Sequence, residues 1–311
     1  ITPPCPVFDR CGGCDWQMIS LTAQRRWKAR IVAEQLQHLG GVTDPPVTDI
    51  EAVSEGYGYR NRIDLRIERG RPGLYAAGSH DLVLIEDCPL VTSTISTMLA
   101  ELSVDSGVDR VTLRASERTG ERAMIRRDER GWSHGEIHEL VDGHRFRISG
   151  RAFFQVNTGG ADALVALVKE ALGPGPDESM LDGYAGGGLF SATVGGAAQS
   201  VVAIENDPTA VADLRHNVPY ATVVSEPFES ARVPRVDVAV VDPPRAGLGE
   251  GGVSTLLEAR PARLAYVSCD PAALARDTRW LIEGGYRLGS VTPVDMFPQT
   301  HHIEAVAVYE R

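Results

Sequence analysis

No apolar run in this chain approaches the about 20 residues that a transmembrane helix needs, and no signal-peptide pattern opens it. Positive charge is in short supply: 31 Lys and Arg stand against 42 Asp and Glu, a net charge of −11. That argues against a phosphate grip spread along the whole chain, because phosphate binding draws on lysine and arginine. Cysteine is sparse and odd in number, five in 311 residues, which excludes the dense disulfide framework of a small secreted scaffold. Internal repeats and long low-complexity segments are missing too. What remains is a composition of 43% hydrophobic and 23% charged residues, that of an ordinary globular protein. Its length suggests about two domains, and a cytoplasmic monomer with no membrane partner is the expectation.

The charge is uneven. Residues 1–150 carry 19 basic and 22 acidic side chains, whereas 151–311 carry 12 and 20. The basic groups of the first part fall in clusters: Arg25, Arg26, Lys28 and Arg30; then Arg60, Arg62, Arg66, Arg69 and Arg71; then a series from Arg110 to Arg130. A solvated face and an RNA-contacting face are both open readings of such clusters.

Four of the five cysteines fall in the first part. Cys5-x5-Cys11-x2-Cys14 encloses Gly12 and Gly13, and Cys88 follows in Asp87-Cys88-Pro89. Glycines let the backbone fold back so that several thiolates converge on one centre. Four thiolates match the ligand count of a structural zinc or of an iron–sulfur cluster, which spacing does not separate.

Residues 20–39 read as a helix that Ser20 or Thr22 can cap and Gly40-Gly41 ends. Between 42 and 150, short segments alternate apolar and polar residues, as in Arg62-Ile63-Asp64-Leu65-Arg66-Ile67-Glu68. Period-two alternation predicts half-buried antiparallel strands, here with arginine at many outward positions. From 151 the pattern changes. A helix at 160–172 precedes apolar strands at 179–183, 200–205, 221–224, 235–241, 263–268, 287–294 and 302–309, with helices near 189–196, 208–217, 251–259 and 271–283. Strand–helix alternation with near-continuous apolar strands predicts a doubly wound parallel sheet. The last two strands have no helix between them, so one of them should run antiparallel. The expected division is 1–150, smaller and mostly β, and 151–311, α/β, with the helix at 20–39 packing on the second.

The first strand of the α/β part runs into Asp182-Gly183-Tyr184-Ala185-Gly186-Gly187-Gly188, a turn open enough for a ligand to approach the backbone. The next strand ends in Glu205, 23 positions beyond Asp182, where a carboxylate can accept hydrogen bonds from ribose hydroxyls. These two features suit a nicotinamide dinucleotide or an adenosyl cofactor alike. The fourth strand runs into Asp242-Pro243-Pro244-Arg245, a rigid acidic loop at the strand edge where ligands of open α/β sheets bind. It is familiar from methyltransferases acting on planar bases, and a nicotinamide enzyme has no need of it. Cys269 ends the fifth strand in Ser268-Cys269-Asp270-Pro271, and Glu304 opens the last strand after Thr300-His301-His302-Ile303. A carboxylate there is costly unless paired or functional. A thiolate can add to an electron-poor ring carbon, and a carboxylate can later remove a proton.

The cysteine loop, Phe153-Phe154-Gln155-Val156-Asn157, the Asp182–Gly188 turn, Asp242-Pro243-Pro244-Arg245, Ser268-Cys269-Asp270-Pro271 and Thr300-x-His302-x-Glu304 occur in this order between residues 5 and 304. Together they resemble the uracil-C5 RNA methyltransferases, which form 5-methyluridine in ribosomal or transfer RNA. The resemblance implies a Rossmann-like class I methyltransferase domain beside a smaller, mostly β domain that carries a cysteine-ligated cluster. It implies Cys269 as nucleophile on uracil C6 and Glu304 as the base that removes the C5 proton. Gln155, Tyr184, Gly186, Glu205 and Asp242 would line the S-adenosylmethionine site. Cys5, Cys11, Cys14 and Cys88 would ligate a 4Fe–4S cluster, ahead of zinc, and the partner would be RNA. Family members often carry a small β-barrel before the cysteine loop, with which this chain begins. Cytosine-C5 RNA methyltransferases and a non-catalytic RNA-binding protein of the same fold are the rival readings. The first lacks the cysteine loop, and the second has no need of Cys269 or Glu304.

Overall fold

The computed structural model describes all of residues 1–311. The chain forms two compact units, one of residues 1–24, 54–159 and 297–301, the other of residues 25–53, 160–296 and 302–311. No helix is long and apolar enough to cross a membrane.

Helix α1 (Leu21–His38) starts in the first unit and continues into the second. The first unit is built on six antiparallel strands: β1 (Arg62–Glu68), β2 (Arg71–Tyr75), β3 (Leu82–Leu84), then after helix α2 (Ser93–Ala100), β4 (Arg110–Ala115), β5 (Arg122–Asp128) and β6 (Gly131–Trp132). Their order is β3-β2-β1-β4-β5-β6, and a separate hairpin pairs β7 (Glu136–Val141) with β8 (His144–Ser149). Arg69-Gly70 and Asp142-Gly143 turn the two hairpins with positive φ at both residues, the geometry that matches strand twist. Ile63, Leu65, Val111, Leu113 and Ala115 point to one face and pack with Ile95, Met98 and Leu99 of α2. The alternating pattern predicts this face but not α2, whose Ile95, Met98 and Leu99 follow the helical i, i+3, i+4 spacing over only eight residues. Arg114 also departs from the expected outward row: it is 3% exposed, and its Nη2 donates to the Ala152 carbonyl at 2.8 Å.

Helix α3 (Thr158–Leu172) passes from the first unit into the second and buries Leu164, Val165, Val168 and Leu172 at helical spacing. The second unit holds a seven-stranded sheet. Its elements in chain order are β9 (Ser179–Gly183), α4 (Leu189–Thr193), β10 (Ser200–Ile204), α5 (Pro208–Asn217), β11 (Thr222–Val224), β12 (Val238–Val241), α6 (Gly249–Ala259), β13 (Arg263–Ser268), α7 (Pro271–Glu283), β14 (Arg287–Val294) and β15 (Glu304–Glu310). The strand order is β11-β10-β9-β12-β13-β15-β14. Pairs from β11 to β13 are parallel, and β15 runs antiparallel to both β13 and β14. The antiparallel strand is therefore the last one, and it inserts between two strands that precede it. Asp207 and Asp270 cap α5 and α7 by accepting from backbone N–H groups, each followed by proline at the first helical position. Helix α4 is shorter than the predicted 189–196 because Gly195–Ala197 tighten into a 3-10 turn. This α/β sheet beside a smaller β unit is the architecture that the sequence patterns imply, without showing a cluster in the smaller unit.

Candidate active site

Strand order reverses at β9, with β10 on one side and β12 on the other. At such a switch point, ligands bind beyond the carboxyl ends of the strands. The second unit gathers there the turn after β9, Glu205 after β10, Asp242 after β12, Cys269 after β13 and, because β15 runs the other way, Glu304 at its start.

The glycine turn has its shape for steric reasons. A Cβ on Gly183 would stand 2.5 Å from the Phe228 ring, and one on Gly188 would stand 2.7 Å from Val218. Gly188 has φ +92° and Gly186 φ +54°, with open space over Gly186. Asp182 ties the turn to α4: its Oδ2 accepts from Ser191 N at 2.8 Å and Oγ at 2.6 Å. Glu205 Oε2 accepts from Gly186 N at 2.8 Å, while Oε1 accepts from the N–H groups of Asn206 and Asp207. Tyr184 packs on Phe228 with ring centroids 4.9 Å apart and donates its hydroxyl to Glu229 at 2.6 Å. Burial and that carboxylate push its phenol far above the ordinary value.

The electrostatics of this edge are dominated by carboxyl groups. Burial pushes Asp182 up to about 7, with Ser191 opposing and Glu205 adding. Its Oδ1 is buried and has no partner. Burial and the nearby Asp182 push Asp242 up to about 7. Burial and Asp242 hold Glu304, 3% exposed, well above the usual carboxylate range. Burial, then Glu304 and Asp242, push the Cys269 thiol up to about 12, with Arg245 acting the other way. The Arg245 Nη2 stands 3.4 Å from His302 Nε2. An edge this rich in desolvated carboxyls, with an orphaned acceptor and open space over Gly186, suits a ligand that brings positive charge. The sulfonium and ammonium groups of S-adenosylmethionine fit that description. Sequence reasoning takes Asp182 only as the start of the turn and passes over Glu229. An acid closing the apolar run Met180-Leu181 was the available signal for Asp182; none marks Glu229.

The remaining predicted residues lie in the first unit. Gln155 is buried, and its carbonyl accepts from Asn61 Nδ2 at 3.2 Å. His301 is drawn to Asp15, whose carboxylate meets its backbone N–H and Nδ1. Cys5, Cys11, Cys14 and Cys88 are all free thiols. They stand close enough to act on one another: burial, then the other three thiols, push Cys14 up to about 12 against a hydrogen bond from Gln17. Burial, then Cys11 and Cys5, also raises Cys88. No three metal-ligating side chains in the chain converge tightly enough to hold a single ion, so the expected closed ligand set is not formed between these thiols.

On the same unit, Arg66, Arg110 and Arg127 are partners in register across β1, β4 and β5. They share one carboxylate, Asp109 Oδ2, at 3.8, 4.0 and 3.7 Å. The Arg110 Nε is buried without a hydrogen-bond partner, and Arg66 lies over the Tyr75 ring at 5.1 Å.

Fold and site together define a class: an α/β methyltransferase with a carboxyl-lined cofactor edge. A model of the tRNA (uracil-5-)-methyltransferase family matches residues 233–311. An RNA methyltransferase of Gloeobacter violaceus is 35% identical over 379 aligned positions, covering 100% of this chain and 83% of that protein. One from Streptomyces coelicolor is 34% identical, covering 100% and 79%. The structure of the Pyrococcus abyssi tRNA (uracil-54, C5)-methyltransferase in complex with S-adenosyl-L-homocysteine superposes with a TM-score of 0.78 at 25% identity, covering 96% of this chain and 85% of that one. The chain belongs to the uracil-C5 RNA methyltransferase family, whose members are S-adenosylmethionine-dependent enzymes.

Proposed function

We propose that this chain methylates C5 of a uridine in ribosomal or transfer RNA through a covalent adduct between Cys269 and C6. The observation that carries the reading is the ladder between β13 and β15. Ser268 faces Ala305 across it, so Cys269 and Glu304 begin from adjoining strand ends on the carboxyl-rich edge. Uracil C5 is unreactive toward a methyl donor until a nucleophile occupies C6.

In this reading the Cys269 thiol loses its proton to solvent, and its sulfur forms a bond to C6. The C5–C6 electron pair moves toward the ring carbonyl and makes C5 nucleophilic. S-adenosylmethionine, held by Tyr184, Gly186, Glu205 and Asp242, supplies the methyl group when bound. Glu304 then takes the C5 proton, the double bond re-forms, and the Cys269 thiolate leaves. The base must be turned out of any stacked RNA to reach these groups. The arginine row of β1, β4 and β5 gives the first unit a place to meet the backbone.

Cys5, Cys11, Cys14 and Cys88 are read as ligands of a 4Fe–4S cluster in a structural role. Their mutual electrostatic influence supports this.

The test is methyl transfer from labelled S-adenosylmethionine to total RNA, with the modified position mapped, alongside RNA containing 5-fluorouridine. Fluorine cannot leave as a proton does, so the wild-type protein is expected to remain covalently attached and methylated. Label on cytidine, or no adduct with the fluorinated RNA, would overturn the reading.

A further inference from the structure

The catalytic edge poses an electrostatic problem for an RNA substrate. Asp182, Asp242, Glu205 and Glu304 surround it, and every nucleotide delivered to Cys269 brings a phosphodiester. Something beside that edge must hold the backbone against like-charge repulsion.

The second unit contains a cavity of about 410 Å³ lined by Leu39, Arg245, Ala246, Asp270, Arg276 and Arg279, together with the small side chains of Ala272 and Ala273. Two of its walls continue directly from the chemistry. Arg245 follows Asp242-Pro243-Pro244, and Asp270 follows Cys269. Among the lining residues, three guanidinium groups face one carboxylate, in a chain whose net charge is −11. That carboxylate is engaged, its Oδ1 accepting from Ala273 N at 2.8 Å.

The arginines differ in how they are held. Arg276 is fixed: its Nε and Nη2 reach Asp277 Oδ1 at 2.9 and 2.7 Å, its Nη2 also reaches the Ala246 carbonyl at 2.7 Å, and its guanidinium lies over Trp280 at 5.3 Å. Arg279 is three residues along α7, on the neighbouring helix face. It is exposed and spends its charge on no ion pair or hydrogen bond. Arg245 is exposed, with the His302 ring as its nearest polar contact. Arg276 is already spent on Asp277 and Ala246, so the groups offered to phosphate oxygens are the two guanidiniums not tied up in ion pairs, Arg245 and Arg279.

We propose that this cavity is a phosphodiester subsite, which grips the backbone of the RNA strand beside the nucleotide presented to Cys269. The inference rests on the RNA reading above and adds a named grip to it. It also adds a local basic grip next to the catalytic edge in a chain whose overall charge is acidic.

The experiment measures binding to a single-stranded oligouridylate over a range of salt concentrations, for the wild type and for Arg279→Gln. Each phosphate contact contributes about 0.7 to the slope of log K against log salt for single strands, so Arg279→Gln is expected to lower the slope by about 0.7. Arg279→Lys keeps the charge and is expected to restore it. Arg287→Gln, at the start of β14 and thus on the opposite edge of the sheet, is expected to leave the slope unchanged. In methyl-transfer assays on unmethylated RNA, Arg279→Gln is expected to raise KM with kcat unchanged. Arg279 is exposed, so thermal melting should match the wild type and exclude misfolding as the cause. A slope for Arg279→Gln equal to the wild type, or a fall equal to that of Arg287→Gln, overturns the subsite. Wild-type protein that transfers no methyl to any RNA overturns the functional reading instead, whatever the slopes show.

Discussion

Cys269 and Glu304 each lie one residue from the cross-strand pair of Ser268 and Ala305, with which the antiparallel ladder between β13 and β15 ends. A reversed strand inserted into an otherwise parallel sheet thus carries a carboxyl from the far end of the chain to the edge where the thiol stands. Both groups pay for the position in desolvation, the thiol rising to about 12 and the carboxyl moving well above its usual range.

Replacing Glu304 separates early from late steps. Glu304→Gln keeps the shape and removes the basic oxygen. Attack by Cys269 and methyl transfer should survive, while release slows by about 10²–10⁴-fold. Labelled methyl should then migrate with a protein–RNA band on a denaturing gel, and Cys269→Ala should give neither product nor band. A Gln variant that turns over at the wild-type rate would show that Glu304 is not the base.

The raised carboxyl groups make cofactor binding depend on pH. In the free protein Asp182 and Asp242, each pushed to about 7, are protonated below that value and ionised above it. A cation favours the ionised forms. Affinity for S-adenosylmethionine should therefore rise as pH increases through about 7 and weaken below it. Calorimetric titration in buffers of different ionisation enthalpy should register proton release on the acid side and little on the alkaline side. S-adenosylhomocysteine, which lacks the sulfonium charge, should show a smaller dependence. Equal affinity for S-adenosylmethionine on both sides of neutrality would remove the carboxyl groups from the binding argument.

Gly188 is a test of the turn. Its φ of +92° disfavours any side chain, and an added Cβ would stand 2.7 Å from Val218 and 2.8 Å from Leu214. Gly188→Ala should cost about 2 kcal/mol, a fall in melting temperature of about 4–8 °C, and should weaken cofactor binding more than RNA binding. Thermal melts with and without S-adenosylmethionine measure both.

The arginine row gives opposite signs for stability and binding. Like charges directly opposite one another in a sheet are unfavourable, and Arg66, Arg110 and Arg127 have only Asp109 between them. Arg127→Gln should leave folding unchanged or improve it by up to about 1 kcal/mol, while RNA affinity falls. A variant that is less stable, with RNA affinity intact, would make the row a structural feature.

The thiols of the first unit make the cluster reading measurable. Anaerobic preparation should give a brown protein with about four irons per chain. Cys11→Ser should lower the stability of the first unit without altering the chemistry at Cys269. Stoichiometric zinc in place of iron would refute the cluster.

Where local chemistry dictates local shape, the sequence was sufficient. The helices read near 208–217 and 271–283 and the apolar runs from Met180 to Val308, which form the strands of the larger sheet, stand where the sequence placed them. The spacing of Asp182, Glu205, Asp242, Cys269 and Glu304 could be read as one edge because every parallel strand delivers its carboxyl end to the same side. Tertiary structure decided what depends on residues far apart in sequence. It set β15 between β13 and β14, buried Arg114 against the Ala152 carbonyl, and left Asp182 Oδ1 without a partner. It also brought Leu39, Arg245 and Arg279 around one cavity. Period and propensity act over a few residues, whereas burial and charge at a point are sums over every segment that packs there, and no single segment carries that sum.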